Sequence, residues 1–124
     1  MRLTRYLNAA HAAGYTGISN VYSKKSFFDE FNNRLKLLNK SEMIRMEELN
    51  MDHGSDCARE IFTWCMREVQ VAVEKKLIDL RDAAVLREKI LGAEEHMDNI
   101  YAYTDQPVHF YYIHFLCLLS ALYL

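Results

Sequence analysis

An all-α fold, in which a helical bundle leads into an incomplete transmembrane helix, is predicted by three features of this sequence. Four Gly and one Pro among 124 residues leave little turn chemistry, which points to few long helices and not to a many-stranded sheet. The hydrophobic content of 51% and the length suffice for one domain with a real core and are too small to expect two. Residues 108–124 (VHFYYIHFLCLLSALYL) carry no formally charged side chain and follow the chain's single proline, Pro107. A membrane-crossing helix needs about 20 apolar residues at a rise of about 1.5 Å each, so this run falls slightly short and reads as the start of a span that has been cut. Its Phe and Tyr rings, with His109 and His114, also suit a buried C-terminal helix of a soluble domain, so hydropathy leaves both readings open.

Each helix has its own signal. Residues 3–21 are Ala-rich with apolar positions at helical spacing, loosened at the end by Gly14, Gly17 and the Ser19-Asn20 pair. Ser26 can cap a helix over 26–38, where Phe27, Phe28, Phe31, Leu35 and Leu38 recur at helical intervals. Asn39 or Ser41 can cap a third over 41–50, and Met51-Asp52-His53-Gly54-Ser55 reads as the clearest loop, with Ser55 or Asp56 capping the next helix. The longest helical pattern runs over 57–78, where Ile61, Trp64, Cys65, Val69, Ala72 and Val73 form a broad apolar face. Asp79, with Asp82 three residues on, starts a helix over 80–103, whose seam Ala83, Leu86, Ile90, Ala93, Met97 and Ile100 alternates steps of three and four. That narrow stripe fits a helix-against-helix contact inside one bundle. Residues 1–105 are therefore one helical region, and 107–124 the start of the transmembrane helix; proline suits a first turn because its missing N–H would have no intrahelical partner there.

Composition excludes several functions. The net charge of −2 gives no electrostatic footprint for nucleic acid, and Lys24-Lys25 beside Phe27-Phe28 is too small to be a patch. No acid precedes Asp29, as in organellar presequences, but the apolar spacing runs on smoothly and no cleavage signal stands out; the alanines around His11 are too weakly apolar for a secretory signal. Three scattered cysteines, Cys57, Cys65 and Cys117, read as reduced thiols. No histidine has a glutamate three residues before it, Glu94-Glu95-His96 fans around a helix, and no phosphate-binding, nucleophile-elbow or Cys-x-x-Cys motif occurs. No catalytic site and no metal site is expected.

As one string the chain resembles the bestrophin family of anion channels. Arg5-Tyr6-x-Asn8 is similar to the family's Arg-Tyr-x-Asn, Val21-Tyr22 with Lys24-Lys25 to its Val-Tyr-Lys-Arg, and residues 38–49 (LNKSEMIRMEEL) to its short acidic helix. Residues 64–78 (WCMREVQVAVEKKLI) resemble its Trp-led cytosolic helix, with Trp64, Ala72 and Ile78 in register. Ile100-Tyr101-Ala102-Tyr103 followed by Pro107 and the aromatic run resembles the family's Leu-Tyr-x-Tyr and its later proline segment. Lys76-Leu77-Ile78-Asp79-Leu80-Arg81-Asp82 replaces the family's Gly-Arg-Ile-Arg-Asp turn, which implies a divergent member.

The resemblance implies passive permeation of chloride or other small anions, with no reaction and no enzyme. It implies a pentameric homo-oligomer in membrane lipid, with residues 1–105 as vestibule helices on the cytosolic side. The pore neck would precede Met1 and the family's calcium site would come after Leu124, so no cofactor is expected in this chain. Trp64, Ala72, Leu86, Ile90, Ala93 and Met97 are the expected assembly and packing residues, and Tyr101, Tyr103, Pro107 and Tyr112 mark the return to the membrane. The competing expectation is a small soluble helical protein-protein interaction domain with a buried aromatic C-terminal helix.

Overall fold

Small residues decide how the first helix packs. In the computed structural model, which describes residues 2–16, 18, 23, 30–49, 54–104 and 110–123, helix α1 (Arg2–Gly14) places Ala9, Ala10 and Ala13 fully out of solvent. Their short side chains bring α1 close to the central helix α4 (Gly54–Glu74), which also packs against α5 (Leu80–Thr104). Ile61, Cys65 and Val69 of α4 form the centre of the core. Helices α2 (Asn32–Leu35) and α3 (Lys40–Glu48) add Leu38, from the link between them, and Met46 to that core, and α6 (Phe110–Tyr123) closes the order of elements. The described residues outside turns and links are helical, as the all-α expectation has it.

The boundaries differ from the sequence pattern for local reasons. The first helix stops at Gly14 and does not continue to 21: Tyr15 and Thr16 donate to the carbonyls of Ala12 and Ala13, three residues back, which tightens the chain into a turn. Residues 17, 19–22 and 24–29 lie outside the described residues, and with them the Ser26 cap and the Val21-Tyr22 and Lys24-Lys25 pieces. The expected helix over 26–38 is helical in its described part only to Leu35. Lys36 turns left-handed at φ 51°, and the Asn32 amide donates to the Leu38 carbonyl at 3.1 Å and accepts from the Leu38 N–H at 2.7 Å, folding the chain back.

Asn39, not Ser41, caps α3. It accepts from the Glu42 N–H at 2.9 Å while the Glu42 carboxylate accepts from the Asn39 N–H at 2.8 Å, a reciprocal capping box. Gly54 and Ser55, expected in a loop, belong to α4, and residues 51–53 lie outside the described residues. A glycine reads as a breaker on composition, but Gly54 is needed for space: a Cβ there would overlap the Thr16 carbonyl and the Tyr101 hydroxyl.

Helix α4 ends at Glu74 and not at 78. Lys76 takes the left-handed conformation at φ 56°, its N–H donates to the Val73 carbonyl, and the Leu77 N–H reaches back to Ala72 at 2.9 Å. This is the Schellman arrangement with lysine in the seat that glycine fills most easily. Asp79 then caps α5 as expected, accepting from the Asp82 N–H at 2.7 Å. No helix among the described residues is long and apolar enough to cross a membrane, and α6 is described over 14 residues.

Candidate functional site

The hairpin of α4 and α5 carries the expected assembly residues. The Trp64 ring meets the Tyr6 ring edge to face, with centroids 5.7 Å apart, and its indole N–H donates to the Glu60 carboxylate at 2.9 Å. Ala72 is half-buried near the closed end of the hairpin, where its carbonyl holds the Leu77 N–H. On α5, Ala83, Ile90 and Met97 are buried and Leu86 is half-buried, whereas Ala93 and Ile100 lie outside the buried line. A seam drawn with a 3.5-residue period drifts about 20° per heptad on a straight helix, so the buried line moves on from Met97 to Tyr101 and leaves Ile100 behind. Arg59 ties the two helices from outside, with one guanidinium nitrogen 3.0 Å from both Asp98 carboxylate oxygens and another 3.6 Å from Glu94. The hydrogen bonds to Asp98 raise the Arg59 guanidinium above its ordinary value.

The residues expected at the membrane return separate into two environments. Tyr101 is buried, and its hydroxyl donates toward the main-chain carbonyls of Gly14 and Thr16 at the end of α1. Tyr103, two residues on, is 80% exposed, and Tyr112 is exposed as well. Pro107 lies outside the described residues. Beyond it, every described side chain of α6 from Tyr112 to Tyr123 is exposed, including Ile113, Phe115, Leu116, Leu118 and Leu122. These residues surround the helix and leave no polar face to hold toward water, the distribution of a helix that lies inside a larger protein or a membrane.

A third cluster has a visible motif but no role readable from sequence. Arg5 of the Arg5-Tyr6 pair forms a two-pronged ion pair with Glu42, at 2.7 and 2.8 Å, and also donates to the Leu37 carbonyl at 2.9 Å. Tyr6 donates to the same carboxylate at 2.6 Å. Burial raises the Glu42 carboxyl, but the hydrogen bonds from Arg5, Tyr6 and the Asn39 amide outweigh it and hold the group below its ordinary 4.5. Burial first, and then the bond to Glu42, pushes the Tyr6 phenol up to about 12. A carboxylate that both completes the capping box of α3 and partners α1 leaves a sequence signal only in its capping half, Asn39-x-x-Glu42.

Cys57 and Cys65 are buried, with burial pushing Cys65 up to about 11, and Cys117 is exposed on α6. Among the described residues no three His, Cys, Asp or Glu side chains converge on a point that could hold a metal ion. No family model matches the sequence, and no curated protein or solved structure shows significant similarity to it.

Proposed function

We propose that this chain is part of a bestrophin-like anion channel, contributing cytosolic vestibule helices and the segment that returns to the membrane. The observation that carries this reading is α6, a helix apolar on all sides whose described side chains are all exposed, placed behind a bundle held by charged and capped contacts. The order of the sequence pieces from Arg5-Tyr6 to Tyr101-x-Tyr103 agrees with it. In this reading the chain performs no reaction. Chloride or another small anion passes down its gradient, selected by pore radius, apolar constrictions and the charges that five subunits place around the axis. Trp64, Ala72, Leu86, Ile90, Ala93 and Met97 serve packing and assembly, with Ala93 beside the buried line of α5, and Tyr103 and Tyr112, which flank Pro107 in the sequence, sit near the lipid headgroups, where rings with a polar tip are favoured.

Liposomes reconstituted with the product of the open reading frame that encodes this chain are expected to release chloride through a conductive path, faster than protein-free vesicles. A tight vesicle at verified protein incorporation contradicts the channel reading. The exposed apolar side chains of α6 also suit a second reading, a helical interaction domain that covers α6 with a protein partner.

A further inference from the structure

Three helix ends meet at one point. The end of α1 supplies the Gly14 and Thr16 carbonyls, the start of α4 supplies Gly54, and the last turns of α5 supply Met97 and Tyr101. The Tyr101 hydroxyl lies 2.8 Å from the Thr16 oxygen and also within bonding distance of the Gly14 oxygen. Gly14 is the last residue of α1, where carbonyls have no partner within the helix itself, and Thr16 lies two residues past it. A phenol has one proton to give, so the two carbonyls share it, and the hydroxyl is held between them. Room for the hydroxyl depends on Gly54, where a Cβ would overlap both the hydroxyl and the Thr16 carbonyl. Close approach of α5 depends on Gly14, where a Cβ would overlap the Met97 sulfur.

We propose that Tyr101 is a positioning strut, whose hydroxyl fixes the last turn of α5 to the end of α1 and so sets the direction in which the chain leaves the bundle toward α6. Tyr101 and Thr104, the last residue of α5, belong to the same helical turn, so a restraint on one is a restraint on the other. Packing orients the ring, and the hydroxyl adds a directional tie to the end of α1. Tyr103 offers the internal comparison, since it carries the same hydroxyl in the same turn on a side chain that is exposed. In the channel reading the strut holds the cytosolic bundle to the returning segment, a consequence that rests on that reading, whereas the strut itself rests on the geometry of the bundle alone.

Amide hydrogen exchange on the full chain in detergent micelles tests the strut without membrane or anion, so its outcome is separate from that of the channel reading. Tyr101→Phe is expected to speed exchange of the amides over 98–104 about five-fold, the effect of one lost hydrogen bond, while Ile61, Cys65 and Val69 keep their protection. Tyr103→Phe is expected to change neither. Unchanged exchange over 98–104 in Tyr101→Phe, or an equal rise in the centre of α4, overturns the strut. In the unsubstituted chain the Tyr101 hydroxyl proton is expected as a slowly exchanging resonance close to the Gly14 and Thr16 backbone, and a hydroxyl in fast exchange with water contradicts the proposal whatever the variant does.

Discussion

Glu42 concentrates several jobs in one side chain. It closes the capping box of α3, receives the Arg5 fork and takes the Tyr6 hydroxyl. Because its carboxyl is held below the ordinary 4.5, the folded state binds its proton less readily than the unfolded chain does. The resulting stability is fully present above pH 4.5 and drains away as pH falls through the folded-state value. Glu42→Gln keeps the shape and removes the charge, and is expected to cost about 2 kcal/mol near neutral pH, the scale of hydrogen bonds to a charged group. Urea titrations across pH should show the variant and parent curves parting above pH 4.5 and converging below it; a constant gap at all pH values would assign the loss to shape and not to charge.

At the scale of elements, much of the helical order is legible in the sequence because α3 and α5 each combine an apolar pattern with a cap. Asp79 with Asp82 locates the start of α5, and Asn39 is one of the two caps the sequence offers for α3, the structure choosing it over Ser41. The ends are less legible, because the residues that stop these helices are not the ones composition flags. Gly54 looks like a loop residue and is a packing glycine inside α4, while Lys76, a good helix former by propensity, sits in the left-handed seat that stops the same helix. The α5 seam reads in the right stripe but out of phase at Ala93 and Ile100, since only the tertiary contact shows how far a straight helix drifts from a 3.5-residue repeat. Of the site residues, Trp64, Ile90, Met97 and Tyr101 are brought into the core, but Trp64 and Tyr101 find partners at Tyr6 and Gly14 of α1, at a sequence distance no local pattern encodes. Lys76→Gly is expected to raise stability by about 0.5–1 kcal/mol, the relief of the left-handed lysine less the entropy glycine adds to the unfolded chain. A denaturant midpoint that falls instead would mean that the lysine side chain contributes to the turn more than its backbone costs it.

For the whole molecule, the contrast between the bundle and α6 carries the functional reading. The bundle buries its small and aliphatic faces and ties its surface with Arg59–Asp98 and Arg5–Glu42, whereas α6 presents Ile113, Phe115, Leu116, Leu118 and Leu122 to its surroundings. An exposed helix of that composition requires cover, and the channel reading assigns lipid to it. The three thiols make this measurable, because Cys57 and Cys65 are buried in the bundle and Cys117 is exposed in the middle of α6. The direct measurement is the rate at which a water-soluble, membrane-impermeant maleimide labels Cys117, with and without lipid vesicles. A thiol in hydrocarbon is out of reach of a water-soluble reagent, so lipid is expected to slow labelling at least about ten-fold while denaturant restores all three thiols. Labelling at the same rate with and without vesicles would contradict a membrane-returning α6 and with it the channel reading.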